Sequence, residues 1–146
     1  MVSAVISTYN RDKYLPGVLR SLLDQSLSKS DFEIVLVNNN SSDSTEKIAL
    51  EFQKNHPEVN FHYFLETNQG LSYARNRGIR ESSGEIIVFV DDDAFLCQDY
   101  LKEVNDFMSS RPDVAAIGGK ILLKFEDERP KWSNKYMDTL WAWYDD

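Results

Sequence analysis

The sequence predicts an α/β domain built on a mostly parallel sheet with helices on both faces. Three observations carry this. Short apolar, β-branched runs alternate with stretches of helical period. The connections between them are short, as they are where each strand is followed by a crossover helix. The run "EIIVFV" (85–90) is apolar at nearly every position, the composition of a strand covered on both faces.

Taken in order, "VSAVIS" (2–7) is the first strand. "DKYLPGVLRSLLDQ" (12–25) carries Leu15, Val18, Leu19, Leu22 and Leu23 as a helical stripe. Pro16 falls in the first turn of that helix, where a missing N–H costs nothing. "FEIVLV" (32–37) is the second strand. "SSDSTEKIALEFQKN" (41–55) opens with capping residues and continues at helical spacing. "VNFHYFL" (59–65) is the third strand, and "GLSYARNRGIRES" (70–82) a helix behind a glycine. The fourth strand (85–90) is followed by a helix at 98–110. "VAAIGGKILLKF" (114–125) is expected as a fifth strand, bent at Gly118-Gly119. Near residue 126 the pattern changes to charged and aromatic residues without a clear period. The expected division is a ligand-binding domain over 1–125 and the start of a further portion over 126–146.

The chain has 146 residues, enough for one domain with a real core. Its net charge of -8 argues against a partner that is nucleic acid or an anionic membrane. An anionic substrate is still allowed, because a bound metal inverts the local field. Cys97 is the single cysteine, which rules out an intrachain disulfide and suits a reducing cytosol; packing is its expected role. No signal peptide and no long apolar span is visible, so the expected location is cytoplasmic, or peripheral at the inner face of the membrane. His56 and His62 have no ligand-like spacing, and Trp132, Trp141 and Trp143 read as core for a further portion.

Three strands run into polar clusters: "STYNR" (7–11), "NNNSSD" (38–43) and "DDDA" (91–94). In a parallel sheet these share one edge, the edge where α/β folds bind ligands. Each taken singly is also an ordinary turn or cap composition. The acidic cluster is the sharpest. Three adjacent carboxylates repel one another unless something positive binds there. Hard divalent cations take one or two carboxylates from a protein and complete their shell from phosphate oxygens. In extended backbone Asp91 and Asp93 point the same way, and Asp92 points elsewhere, towards a ribose or sugar hydroxyl. The helix behind Gly70 adds a phosphate-binding N-terminus, with Arg75 or Arg77 as a diphosphate partner.

Together, "VISTYNR", "EIVLVNNNSSDST", "NQGLSYARNRGI" and "GEIIVFVDDDAFLCQDYL" resemble the blocks of the family 2 glycosyltransferases, in that family's order. The resemblance covers Val2 to about Lys124. It implies a Rossmann-like nucleotide-diphospho-sugar transferase fold, incomplete at its C-terminal end, and inverting sugar transfer in surface polysaccharide synthesis. It further implies a UDP-sugar donor, a glycan or lipid-linked acceptor, and a manganese or magnesium ion. Thr8, Tyr9 and Arg11 would line the base end of the nucleotide pocket. Asn38 and Asn39 stand where the family usually has Asp-Asp or Asp-Asn against the pyrimidine, so Asn39→Asp is expected to favour uridine diphosphate further over cytidine diphosphate. Arg75 and Asn76 fall on the "ARN" element, Asp91 and Asp92 on the nucleotide-binding acidic motif, and Asp91 and Asp93 on the metal. The family's general base lies in a later motif, which places it beyond residue 146.

Two other classes share parts of this pattern. A phosphoacceptor receiver domain needs an acidic pair after the first strand, where this chain has Ser7, Thr8 and Tyr9. A nucleotide-binding module without transfer activity fits the isolated chain, with self-association through the aromatic C-terminal tail.

Overall fold

A computed structural model describes residues 1–125, 128 and 129. They fall into two compact units, Met1–Arg111 and a second that begins at Pro112. Among the described residues the first holds all the regular structure: β1 (Val2–Thr8), α1 (Leu15–Leu23), β2 (Phe32–Asn38), α2 (Thr45–Asn55), β3 (Phe61–Leu65), α3 (Leu71–Glu81), β4 (Ile86–Asp91) and α4 (Tyr100–Ser110). The four strands form one parallel sheet in the order β3-β2-β1-β4.

The chain first steps outward from β1 to β2 to β3, then crosses back to place β4 on the other side of β1. The direction of winding therefore reverses between β1 and β4. At such a reversal the following loops diverge and leave a crevice at the carboxyl ends of the strands. The helices follow the same logic. Leu15, Val18, Leu19 and Leu22 of α1, Ala49 and Phe52 of α2, and Leu101 and Val104 of α4 share one core with Ala4, Ile6, Ile34 and Leu36. The opposite face carries a smaller cluster of Val5, Val35, Val37 and Ala74, closed by α3. Helix α3 lies so near β1 that a Cβ on Gly78 would collide with Val5 Cγ1. Only glycine permits that approach.

At the amino edge of the sheet a buried carboxylate joins three elements. Glu33 on β2 accepts from the hydroxyl of Ser3 on β1. It also accepts from the Ser83 N–H at 2.6 Å and the Ser83 hydroxyl at 2.8 Å, before β4 begins. His62 Nε2 on β3 stands 3.5 Å away. Burial alone would raise the Glu33 pKa, but the Ser3 and Ser83 hydrogen bonds and His62 outweigh it and hold the group below its ordinary value.

Three sequence expectations fail here. The fifth strand over 114–125 does not form; those residues carry neither strand nor helix. An apolar run becomes a strand only with a ladder partner, and Gly118-Gly119 adds backbone freedom without side chains to pack. Strand β4 is buried on one face only, with Phe89 half exposed on the other, because β4 is an edge strand among the described residues. Cys97 is exposed rather than packed. Among the described residues no helix is long and apolar enough to cross a membrane. Trp132, Trp141, Trp143 and the tail expected to self-associate lie outside the described residues.

Candidate active site

The register brings the polar clusters together. Thr8 pairs with Asn38 across β1 and β2, and Ser7 pairs with Asp91 across β1 and β4. The ends of β1 and β4 therefore sit side by side at the crevice, as the shared-edge reading requires.

The acidic cluster is not extended. The Ala94 N–H donates to the Asp91 carbonyl at 3.0 Å, closing a turn that holds Asp92 and Asp93. The alternation expected for Asp91 and Asp93 is thereby lost, and Asp92 and Asp93 share one partner. Arg11 Nε stands 3.7 Å from Asp92 Oδ1, and Arg11 Nη2 stands 3.7 Å from Asp93 Oδ2. On the other side Arg75 Nη2 lies 3.5 Å from Asp91 Oδ1. Arg77, the alternative partner, pairs instead with Glu81 on its own helix at 2.7 Å. Asn76 is exposed on α3.

The three carboxylates differ sharply in exposure. The Asp91 and Asp93 side chains are 74% and 51% exposed, that of Asp92 only 13%. Burial raises the Asp92 pKa; the Thr8 hydroxyl, Arg11 and the Tyr9 amide pull it down, Asp93 pushes it further up, and the net shift is upward. The Thr8 hydroxyl faces this carboxylate from a residue that is 2% exposed, yet it closes no hydrogen bond of ordinary geometry. Tyr9 stands half exposed beside it. Among the described residues no three His, Cys, Asp or Glu side chains form a cage able to hold a metal alone. Two accessible carboxylates beside an unpartnered hydroxyl fit a hard cation that takes further oxygens from a phosphate.

Asn38 and Asn39 do not present their side chains to the crevice. Both are buried. Asn38 donates to the Tyr63 hydroxyl at 2.9 Å and accepts from the Ser41 N–H at 2.9 Å. Asn39 donates to the carbonyls of Glu66 at 3.1 Å and Asn68 at 2.7 Å, and accepts from the Gly70 N–H at 2.7 Å. These contacts staple the end of β2 to the loop that starts α3. The sequence expectation has these carboxamides against the base; in the structure their hydrogen bonds go to the protein around them, as a buried amide first satisfies its own surroundings.

Sequence reading missed two parts. Loops 9–14 and 39–44 cap each other: the Asp12 N–H donates to Asp43 at 3.0 Å, and the Ser44 N–H to Asp12 at 3.3 Å. The Ser42 N–H donates to Asn10 at 2.8 Å, and the Asn10 N–H to Ser41 at 3.0 Å. Asn10 and Asn40 adopt positive φ to allow this. The second omission is the end of β3, where buried Glu66 accepts from the Asn68 N–H at 2.8 Å. "ETNQG" (66–70) is a polar strand end like the other three, and that signal was there to be read.

Comparison with known proteins agrees with this geometry. The chain is 35% identical over 103 residues to the putative glycosyltransferase EpsH of Bacillus subtilis, covering 70% of this chain and 29% of that protein. It superposes with a TM-score of 0.69 on Staphylococcus aureus TarS 1–349 in complex with UDP-GlcNAc, at 30% identity over 76% of this chain and 32% of that one. A mannosyltransferase, PcManGT from Pyrobaculum calidifontis in complex with GDP-Man and Mn2+, gives a TM-score of 0.71 at 26% identity, covering 74% and 32%. The chain thus spans about a third or less of these relatives. The model of the family described as glycosyl transferase family 2 matches residues 3–144, and the chain belongs to that family.

Proposed function

We propose that this chain binds the nucleotide-sugar donor of an inverting glycosyltransferase that acts in surface polysaccharide synthesis. The observation that carries the reading is the β1/β4 crevice, where Asp91, Asp92 and Asp93 face Arg11 and Arg75. Asp91 and Asp93 would hold a manganese or magnesium ion, which when bound supplies charge neutralisation to the departing diphosphate. Arg75 and Asn76, in the middle of α3, would bind the diphosphate through their side chains. Thr8, Tyr9 and Arg11 would line the base end, and Asp92 would accept from a ribose or sugar hydroxyl. Asn38 and Asn39 would act by fixing the loops around the pocket.

In the reaction an acceptor hydroxyl attacks the anomeric carbon in line. The bond from that carbon to the diphosphate oxygen breaks, and its electron pair leaves with the diphosphate. The hydroxyl proton passes to a carboxylate base. The donor is a UDP-sugar by this reading, supported by the UDP-GlcNAc complex of TarS. The acceptor would be a glycan or lipid-linked sugar at the inner face of the membrane, and the isolated chain would bind nucleotide without turnover.

Calorimetry with uridine diphosphate tests this. Binding should need manganese in the wild type and be lost in Asp93→Ala. Equal affinity with and without the ion, in both proteins, would remove the metal from the reading.

A further inference from the structure

Every carboxylate of the cluster is answered by an arginine. Arg75 faces Asp91 at 3.5 Å, and Arg11 spans Asp92 and Asp93 at 3.7 Å each. Three carboxylates against two guanidiniums leave one net negative charge, a weak attraction for a divalent cation. The pairs are loose, and both arginine side chains are 43% exposed, so they are free to leave. Arg75 also lies over the exposed Phe89 ring at 5.6 Å, and Arg11 over Tyr14 at 5.3 Å. Each guanidinium therefore has an aromatic seat that does not depend on the carboxylate. The Thr8 hydroxyl, nearly fully buried, faces Asp92 without closing a hydrogen bond of ordinary geometry.

We propose that Arg11 and Arg75 are exchangeable counter-ions, which hold the three carboxylates in the free protein and pass to the diphosphate when a divalent cation takes their place. The proposal rests on the donor-site reading above. The exchange couples the two ligands. A cation binding alone must displace guanidiniums that then have no new partner. A diphosphate binding alone must draw them away from carboxylates that are left to repel one another. Together each ligand releases what the other needs, so each strengthens the other by the same factor.

The sign of one substitution separates this from a simple structural role. Removing the Arg75 charge should tighten the cation alone and weaken the diphosphate. Manganese and uridine diphosphate are titrated into the full chain, singly and together, with electron paramagnetic resonance reporting free manganese. The wild type should show weak manganese binding alone and a coupling factor of about 5- to 150-fold. Arg75→Gln should bind manganese alone up to about fivefold more tightly, the worth of one exposed ion pair. It should bind uridine diphosphate with manganese about tenfold or more weakly, the worth of a hydrogen bond to a charged group. Arg75→Lys keeps the charge and should leave manganese alone at the wild-type affinity. Manganese binding that is unchanged or weaker in Arg75→Gln, with wild-type coupling intact, overturns the exchange and leaves the donor site standing. Failure of the wild type to bind uridine diphosphate with manganese overturns both.

Discussion

Asn38 and Asn39 are neighbours, both buried, and yet aspartate should have very unequal consequences at the two positions. At Asn39 the amide nitrogen donates to two backbone carbonyls, of Glu66 and Asn68, which cannot donate in return. Asn39→Asp keeps the volume, so no cavity term enters. It removes two hydrogen bonds worth about 1 kcal/mol each and leaves a buried carboxylate against two carbonyl oxygens, a further cost of about 1–3 kcal/mol. The Gly70 N–H still donates, now to a charge, and offsets about 1 kcal/mol. The net expectation is a loss of about 2–4 kcal/mol, a large part of the ~5–15 kcal/mol that a domain holds. At Asn38 the partners are the Tyr63 hydroxyl and the Ser41 N–H, and both can donate to a carboxylate. Asn38→Asp should therefore stay within about 1 kcal/mol of wild type. Urea unfolding followed by circular dichroism measures both. With a slope of about 1–3 kcal/mol/M, Asn39→Asp should lower the midpoint by roughly 1–2 M. Equal effects at the two positions, or less than about 0.5 kcal/mol at Asn39, would refute the claim that partner chemistry decides the outcome.

Three further outcomes are expected. Gly78→Ala should destabilise by about 1–3 kcal/mol in thermal unfolding, since the added methyl meets Val5 and the gain in helix propensity is only about 1 kcal/mol. The Glu33 pKa lies below its ordinary value, so its stabilisation is present above the unfolded-state pKa and is lost as pH falls through the folded one. Unfolding free energy should accordingly drop more steeply below pH ~4.5 in the wild type than in Glu33→Gln. Arg77→Gln, which breaks the pair with Glu81 and the contact with the Phe64 ring, should leave manganese-dependent nucleotide affinity unchanged, in contrast to Arg75→Gln.

Apolar runs and helical period were enough to read the four strands and four helices among the described residues: the helices bury a stripe, whereas β1 and β2 are buried at nearly every position. The shared edge followed from the alternation alone. What periodicity does not carry is the choice of partner. Arg75 and Arg77 are two residues apart and equal in sequence, yet only Arg75 reaches the carboxylates. The turn at Asp92 and Asp93 depends on a hydrogen bond from Ala94, not on composition. Asn38 and Asn39 bind groups some 25 to 31 positions away, separations that no local pattern encodes. The 114–125 run has the composition of a strand, but strand formation is decided by whether a neighbouring ladder exists.

The mutual capping of loops 9–14 and 39–44 has a thermodynamic consequence. Asn10, Asp12 and Asp43 tie the two loops to each other through backbone N–H groups. They lose their conformational freedom when the chain folds, not when a ligand arrives. Nucleotide binding here should then carry little ordering entropy from these loops, and their amides should exchange slowly with solvent deuterium before any ligand is added. Cutting one link, as in Asp12→Ala, would transfer that ordering to the binding step, weakening affinity with an unfavourable entropy although no contact to the ligand has been touched.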